Sequence, residues 1–345
     1  MTEATYGSSG AITPILITGA TGFIGANFVY QFAQQGHQVI AYDLNPPIPL
    51  LTEYWAPHAK NITFEQGSVT DAARLNEVGA QHKPDRIVHA AAITAVDPVT
   101  EVQMSARMIE VNVMGTVRAL ELARSLNVKR FVYISSSGVY GFDDPNTIPE
   151  TAPLPRERLE LYCITKRASE ELCLRYAELL HMDIAIGRLN GPYGPMERDT
   201  GVRPLMSPIY QIAQAALTHD TVRVRTPQGA FDWTHVLDLA EPVRLLTMAP
   251  QLSYQIYNLS SGVRRPLSDV FDEFSALLPP GTFQFIEDGG EVDLELHLSN
   301  RGALDISRLN RDVGYKPAYD LQQGLAASLP WWRAMIQIEN NTRGK

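Results

Sequence analysis

The sequence is poor in cysteine, in long apolar runs and in positive charge, and each shortage excludes a class of protein. Its two cysteines, Cys163 and Cys173, are too few for a disulfide scaffold and lack the spacing of metal ligands, so we expect no metal. No apolar run reaches the ~18 residues of a membrane helix, and the N-terminus shows no basic or apolar region of a signal peptide. The formal net charge of −9 argues against nucleic acid as a partner, because a phosphate backbone requires a basic face. We therefore predict a cytoplasmic protein that binds small molecules, with no membrane or nucleic-acid partner.

The length and composition are those of an ordinary globular protein. At ~150 residues per domain, 345 residues correspond to about two domains or one large α/β unit. Hydrophobic residues make up 45% and charged residues 19%, far from the composition of a disordered chain. Such a chain can bury a core without disulfides or metals.

Short apolar runs alternate with amphipathic stretches over the first half of the chain. The apolar runs predict strands at residues 15–18, 39–42, 62–64, 87–89, 130–135 and 184–187. The amphipathic stretches predict helices at residues 23–35, 71–81, 102–126 and 161–181. Strands that alternate with helices indicate right-handed βαβ units, so we predict a Rossmann-type, doubly wound parallel sheet.

This alternation ends after residue 187. A loop rich in glycine and proline occupies residues 191–195, and the rest of the chain has no clean repeat. We expect a second, smaller α/β lobe that is interleaved with returns to the sheet. The predicted dinucleotide-binding Rossmann domain covers residues 1–187 and 231–262, and the predicted substrate-binding lobe covers residues 188–230 and 263–345.

A glycine-rich turn follows the first predicted strand. Gly19 permits a tight turn, Gly22 lets backbone amides approach a pyrophosphate, and Gly25 allows close packing of helix and sheet. Asp43 ends the second strand, 18 residues after Gly25, where a carboxylate accepts both ribose hydroxyls and repels a 2′-phosphate. This context predicts NAD as the cofactor; the alternative is a generic strand–turn–helix with Asp43 in a turn.

A tyrosine, a lysine and a run of serines form a candidate catalytic set. Tyr162 and Lys166 are four residues apart and share one helix face. A phenol titrates near ~10, a neighbouring ammonium favours the phenolate, and a pKa of ~7 requires about 4 kcal/mol of stabilisation. The serines at residues 135–137 end a predicted strand, at the edge where α/β sheets bind ligands. Taken singly, the pair also fits a solvated helix face, and the serines also fit a polar exit from a strand.

As a set, these motifs resemble those of the extended short-chain dehydrogenase/reductase family, the NAD-dependent epimerase/dehydratase group. The resemblance runs from about residue 15 to residue 332. The matching segments are residues 18–25, 89–92, 112–116, 135–141, 162–166 and 232–238.

The resemblance implies roles for individual residues. It implies that Ser136 is the catalytic serine, with Ser137 as the alternative, and that Tyr162 is the acid or base. Lys166 is implied to hold the cofactor ribose and to lower the pKa of the tyrosine. Asn112 is expected to brace the sheet beside the cofactor, with a purely structural hydrogen bond as the alternative. Besides the glycines, Asp43, Tyr162 and Lys166, the implied NAD contacts are Phe23, Ile24, Ser68, Val69, Ala90, Ala91, Ala92, Asn112 and Leu189.

Departures from the family pattern narrow the expected chemistry. Family 4,6-dehydratases carry an acidic pair directly after the catalytic residue, because loss of water needs an extra acid and base. Those positions are Ser137 and Gly138 here, so dehydration is not expected. Nucleotide-sugar epimerases have an arginine where this chain has Phe231, and an asparagine at Gly191, with Asn190 here one residue earlier. Two contacts to a substrate diphosphate are therefore missing.

These observations favour an NAD-dependent oxidoreductase that transfers hydride at a secondary alcohol of a small sugar, sugar acid or polyol acid. The predicted substrate residues are Thr94, Ser136, Ser137, Asn190 and Arg203. Arginines that could clamp a carboxylate or phosphate are Arg198, Arg203, Arg264, Arg265 and Arg301. The alternatives are a nucleotide-sugar epimerase that retains its cofactor and a non-catalytic dinucleotide sensor.

The resemblance also implies a homodimer through the helices near residues 102–126 and 161–181. Both helices carry apolar residues on more than one face, and the alternative is that both faces are buried within the monomer.

Overall fold

A computed structural model gives the fold of the chain. It describes residues 13–94, 97–141, 144–155, 159–201, 203, 206–287, 289–296, 298 and 301–343, the last five of these by backbone alone. The first twelve residues of the predicted Rossmann domain lie outside the described residues.

Short strands alternate with helices along most of the chain. The strands are β1 (Ile15–Thr18), β2 (Val39–Asp43), β3 (Ile62–Gln66), β4 (Arg86–His89), β5 (Arg130–Ser136), β6 (Ile184–Leu189), β7 (Pro192–Tyr193), β8 (Val222–Arg225), β9 (Ala230–Asp232), β10 (Thr234–His235), β11 (Ile256–Leu259), β12 (Arg264–Pro266) and β13 (Phe283–Ile286). The helices are α1 (Phe23–Gln34), α2 (Pro49–Trp55), α3 (Ala72–His82), α4 (Pro98–Ile109), α5 (Gly115–Leu126), α6 (Leu161–Leu180), α7 (Pro208–Thr218), α8 (Val236–Met248), α9 (Leu267–Leu277), α10 (Ser307–Val313) and α11 (Leu321–Arg343).

Seven parallel strands form one sheet in the order β11-β6-β5-β4-β1-β2-β3. The strand order reverses between β1 and β4, which is where doubly wound sheets bind their ligands. The predicted Rossmann-type sheet is confirmed, and all six strands predicted from the apolar runs belong to it. The seventh, β11, returns from the second half of the chain to pair with β6.

The predicted helix at residues 102–126 is two helices joined by a π-helical turn, Glu110–Met114. The first of the two helices, α4, begins four residues earlier than predicted. Asp97 caps its first turn by accepting from Thr100 N, and Pro98 occupies the first helical position. The π-helical turn carries Asn112, which is buried against the rest of the fold.

The two faces of the sheet are covered by different helices. Ile15 and Ile17 contribute to one core with α1 and α8, whereas Leu16 points to the other face and packs with residues of α3 and α5. This alternation follows from the two-residue period of a strand.

The described residues form three short strand pairs outside the main sheet, and the second lobe is built around these pairs and their neighbouring helices. β7 pairs with β10 in parallel. β8 pairs with β13 in parallel, and β9 pairs with β12 in antiparallel. Buried residues of α7, α9 and α11, among them Tyr210, Phe274 and Trp332, continue the core formed by α1 and α8. Among the helices that the structure describes, none has the length and apolar character needed to cross a membrane.

Candidate active site

A cleft of about 710 Å³ lies over the carboxyl ends of β1, β2, β4 and β5 and extends under the loop that follows β7. Predicted cofactor residues that line it are Gly19, Gly22, Phe23, Ile24, Gly25, Asp43, Ser68, Val69, Ala90, Ala91, Ala92, Tyr162, Lys166 and Leu189. Predicted substrate residues that line it are Thr94, Ser136 and Arg203. One continuous cleft therefore joins the glycine-rich turn to the serine–tyrosine–lysine set.

The glycine-rich turn has the shape that a dinucleotide requires. Gly19 has a φ of +70°, and a Cβ there would lie 2.7 Å from the backbone of Ala91. At Gly25, a Cβ would overlap the carbonyl oxygen of Gly19, so only glycine lets α1 lie this close to the turn. Gly22 is the N-cap of α1 and makes no side-chain cap. The N-terminal amides of α1 and its dipole therefore suit a pyrophosphate.

Asp43 is held at the rim of the cleft by two backbone amides. Its Oδ2 accepts from Thr21 N at 3.0 Å, and its Oδ1 accepts from Asn45 N at 3.1 Å. Each carboxylate oxygen can accept a further hydrogen bond, so the residue remains able to receive ribose hydroxyls.

Ser68 and Val69 line the end of the cleft near Asp43. The Ser68 hydroxyl lies 2.7 Å from the hydroxyl of Thr70 and accepts from Thr70 N at 3.1 Å. Val69 packs on Gly115, where a Cβ would come within 2.8 Å of the valine side chain. The two residues thus form a small, mostly apolar wall at this end.

Asn112 lies behind the cleft and connects two of its walls. Its Oδ1 accepts from Ile93 N at 2.8 Å, and its Nδ2 donates to the carbonyl of Ile93 and to Thr165 Oγ1, both at 3.0 Å. The amide therefore fixes the segment after β4 against the helix turn that precedes Lys166. The predicted role beside the cofactor stays a prediction.

Ser136 and Tyr162 meet at the end of the cleft opposite Asp43. Ser136 Oγ accepts from Gly138 N at 3.1 Å, which leaves its proton to donate. Burial has the largest effect on the pKa of Tyr162 and raises it, whereas the nearby Ser136 hydroxyl and Arg203 guanidinium act to lower that pKa. The net shift is therefore upward, because the fold desolvates the phenol completely, which spacing in the sequence does not reveal. The predicted lowering of this pKa by Lys166 stays a prediction.

Lys166 lies below the tyrosine ring, buried in the protein. Its Nζ is 5.8 Å from the centroid of the Tyr162 ring and donates to the carbonyl of Ile134 at 2.7 Å. Burial lowers the pKa of Lys166 to about 8, and the negative charge of Glu170 opposes that shift. The ammonium is therefore charged at neutral pH but close to its titration range.

Glu170 belongs to a buried network that the sequence analysis missed. Its carboxylate accepts from Arg188 Nε at 2.9 Å, from Arg188 Nη2 at 2.6 Å and from Ser135 Oγ at 2.5 Å. The sequence feature that could have indicated this residue is its position four residues after Lys166, one helical turn away on the same face of α6. The network connects α6 to the ends of β5 and β6.

Ser137 and Asn190 are not among the residues that line the cleft. Ser137 Oγ donates to Asn190 Oδ1 at 2.7 Å, and Arg301 Nη2 donates to both, at 2.8 and 2.6 Å. Arg301 Nη1 donates to the carbonyls of Ser137 and Gly141, both at 3.1 Å. Ser137 and Asn190 are thus satisfied by each other and by Arg301, and their predicted contact with substrate stays a prediction.

Phe231 occupies the position where an arginine is expected in a nucleotide-sugar epimerase. Its ring centroid lies 4.9 Å from Arg301 Cζ and 5.1 Å from the ring of Trp233. The expected arginine position is therefore occupied by an aromatic ring. The Arg301 guanidinium beside this ring already donates to Ser137, Asn190 and Gly141.

Arg203 lies at the substrate end of the cleft and is half-buried. Its Nη2 donates to Glu197 Oε1 at 3.1 Å, and its Cζ lies 5.1 Å from the centroid of the Phe23 ring. Glu197 is fully buried and also accepts from the backbone amide and the hydroxyl of Ser207. The carboxylate thereby fixes a cation close to the Tyr162 phenol.

Arg198 from the same loop lies farther along the cleft and donates to the carbonyl of Thr21 at 2.7 Å. Nothing near Arg198 in the sequence indicates this contact, because Thr21 is 177 residues away in the chain.

Comparisons with known proteins identify the family. The model of the NAD dependent epimerase/dehydratase family matches residues 15–260. The chain belongs to this family. The cofactor of this epimerase/dehydratase family member is NAD, and the resemblance drawn from its motifs is confirmed.

Relatives in the family carry different activities in their names. The dTDP-glucose 4,6-dehydratase of Xanthomonas campestris pv. campestris (strain B100) is 26% identical over 341 residues, covering 92% of each chain. The UDP-glucuronate 4-epimerase of Thermodesulfobacterium geofontis (strain OPF15) is 25% identical over 332 residues, covering 94% of this chain and 97% of its own. The fold is similar to that of the UDP-glucose-4-epimerase of Stenotrophomonas maltophila with bound NAD and formylated UDP-arabinopyranose. The two structures superpose with a TM-score of 0.79 at 23% sequence identity. The match covers 94% of this chain and 99% of the epimerase chain.

Proposed function

We propose that this family member is an NAD-dependent dehydrogenase that acts on a secondary alcohol of a small sugar, sugar acid or polyol acid. The observation that carries the proposal is the grouping of Ser136, Tyr162 and Lys166 at one end of the cleft whose other end suits a dinucleotide. When bound, NAD supplies the hydride acceptor.

Each of the three side chains has a distinct part in this chemistry. Ser136 accepts from Gly138 N, so its own proton points to the phenol or to a substrate oxygen that approaches the phenol. As the phenolate, Tyr162 takes the alcohol proton during oxidation and becomes the phenol, which returns the proton during reduction. Lys166, held on the Ile134 carbonyl, keeps a positive charge beside the ring and so favours the phenolate form that accepts the proton.

Dehydration is disfavoured by the residues that follow Ser136. Loss of water needs a further acid and base near the substrate, but the Ser137 hydroxyl is bound to Asn190 and Arg301, and Gly138 has no side chain. We propose that this chain lacks the dehydratase activity for which several of its relatives are named.

A nucleotide-sugar epimerase is the second candidate, and the names of the relatives favour it. Phe231 and the engaged guanidinium of Arg301 weigh against it, because a substrate diphosphate is usually bound by arginine. Arg203, which is paired with Glu197 and stands near Tyr162, is the cation that we propose to face an anionic group of a small substrate. Thr94 and Ser136, which line the cleft, are the first proposed polar contacts, and Ser137 and Asn190, to which Arg301 donates, stay proposed contacts as well.

The experiment that tests the proposal is an assay of the purified chain with added NAD against sugars, aldonic acids and UDP- or dTDP-sugars. Net formation of NADH with a small sugar or sugar acid supports a dehydrogenase. Isomerisation of a nucleotide sugar without net NADH, by protein that retains NAD through purification, contradicts it and supports the epimerase. Binding of NAD without turnover of any of these compounds would leave a non-catalytic sensor.

We also propose that the protein is a cytoplasmic homodimer. Val99 and Val102 on α4 and Ile164 on α6 are exposed, with 68%, 77% and 48% of their surfaces accessible, and the two helices pack side by side. A second copy would cover this apolar surface. Two free cysteines agree with a reducing compartment. Light scattering tests the dimer, and a monomeric mass contradicts it.

A further inference from the structure

Arg198 reaches from the second lobe to the glycine-rich turn. Its Nη2 donates to the carbonyl of Thr21 at 2.7 Å, and its Nη1 donates to the carbonyl of Met196 at 3.1 Å. Only 8% of its surface is accessible, and it lines the cleft beside Asp43. The guanidinium therefore lies one residue away from Gly22, the N-cap of α1.

The charge of Arg198 has no direct counter-ion in the part of the chain that the structure describes. Its hydrogen bonds go to two neutral carbonyls, and no carboxylate among the described residues forms an ion pair with it. Burial lowers the pKa of this guanidinium, and the carboxylate of Asp43 opposes the shift from a greater distance. Burying a charge without an ion-pair partner is costly, so the position is better suited to a state in which an anion is nearby.

The surrounding groups indicate which anion fits. Asp43 is fixed by the amides of Thr21 and Asn45 and suits the ribose hydroxyls of adenosine. The N-terminal amides of α1, on the other side of Thr21, suit the diphosphate. A guanidinium on the Thr21 carbonyl lies between these two sites, and its planar donors match phosphate oxygens in a bidentate arrangement.

We infer that Arg198 is a cofactor-binding residue, which brings positive charge from the second lobe to the diphosphate of NAD. The inference depends on NAD as the cofactor and is independent of the substrate. A positive charge at Arg198 would also explain how a chain with a net charge of −9 binds an anionic ligand beside the glycine-rich turn. The helix N-terminus provides partial charges, and Arg198 adds a full one.

The test compares ligands that differ in the diphosphate. Isothermal titration calorimetry measures the affinities of the full chain for ADP-ribose and for adenosine, in the natural protein and in Arg198→Met. Loss of a hydrogen bond to a charged group predicts that ADP-ribose binds roughly ten- to hundredfold more weakly to R198M. The affinity for adenosine should change by less than about twofold. The salt dependence of ADP-ribose binding should also become less steep, because one cation no longer faces the phosphates.

Two control variants separate charge from structure. Arg175→Met removes an exposed arginine of α6 and should leave both affinities unchanged. Arg198→Gln keeps a donor for the Thr21 carbonyl but removes the charge, and it replaces R198M in the comparison if R198M does not fold.

An equal loss of affinity for ADP-ribose and adenosine overturns the inference, because it means that Arg198 only tethers the loop to Thr21. Unchanged affinity for ADP-ribose overturns it as well. Neither probe is a substrate, so a failure of the proposed dehydrogenase activity does not affect this result.

Discussion

The buried pair of Glu170 and Arg188 gives a prediction whose size follows from the geometry. Both side chains are almost fully buried, at 2% and 3% exposure. Arg188 donates to the carboxylate through Nε and Nη2 at 2.9 and 2.6 Å, and Ser135 donates to the same oxygen as Nε. Glu170→Gln leaves the guanidinium buried opposite a neutral amide. Breaking a buried pair in this way costs about 3–5 kcal/mol, and we expect the free energy of unfolding to fall by that amount.

Urea denaturation followed by circular dichroism at neutral pH measures this loss. The matched control is Glu178→Gln on the same helix, whose pair with Arg175 is exposed at both ends and is worth about 0–1 kcal/mol. If both variants lose the same small amount, the pair does not stabilise the fold as its burial indicates.

A second measurement concerns Lys166, whose pKa the charge of Glu170 raises. In E170Q the alkaline limb of turnover should move to lower pH, whereas it should not move in E178Q.

Other predictions concern the glycine-rich turn, a buried histidine and cofactor choice. Gly25→Ala places a Cβ onto the Gly19 carbonyl. Overpacking of this kind costs about 1–3 kcal/mol, so we expect NAD affinity, measured by calorimetry, to fall by roughly five- to a hundredfold. Burial lowers the pKa of His235 from 6.5 to about 4, so the unfolded chain binds more protons below pH 6.5. Stability should therefore fall as the pH drops from 6.5 towards 4, by about 1.4 kcal/mol per unit from this group. His235→Phe should remove that part of the slope in urea denaturation. Asp43→Ala should reduce the preference for NAD over NADP in a binding competition, because the carboxylate no longer repels a 2′-phosphate.

Each of these predictions has an outcome that contradicts it. Undiminished NAD affinity in G25A would mean that the turn can open without loss of the binding geometry. An unchanged pH slope in H235F would assign acid sensitivity to other groups, of which His89 is the first to consider because burial lowers its pKa to about 3. An unaltered ratio of NAD to NADP affinity in D43A would remove Asp43 from cofactor selection.

The glycine-rich turn and the six strands of the first half could be predicted from the sequence because their signals are local. The strand, the tight turn and the helix all lie between Ile15 and Gln34, and the apolar runs are short and well separated. The pattern at residues 102–126 indicated the helix but not its start or its π-helical turn. The start depends on Asp97 and Pro98, and the turn accommodates Asn112.

Contacts between distant parts of the chain could not be read in the same way. Arg301 lies 164 residues after Ser137 and 111 after Asn190, so nothing near either residue indicates that its polar groups are already bonded. The upward pKa shift of Tyr162 has the same origin, since burial is a property of the assembled fold. Spacing placed Tyr162 and Lys166 on one face, but the separation of 5.8 Å between ring centroid and Nζ comes from packing.

The most direct test of catalysis by Tyr162 compares the natural chain with Tyr162→Phe in the same assay. We expect the natural chain to form NADH with at least one small sugar or sugar acid. In Y162F, which lacks the phenolic proton but keeps the ring, turnover should fall by about 10²–10⁴-fold, while calorimetry finds the affinity for NAD unchanged within about twofold. Turnover in Y162F equal to that of the natural chain would contradict the assignment of Tyr162 as the acid and base.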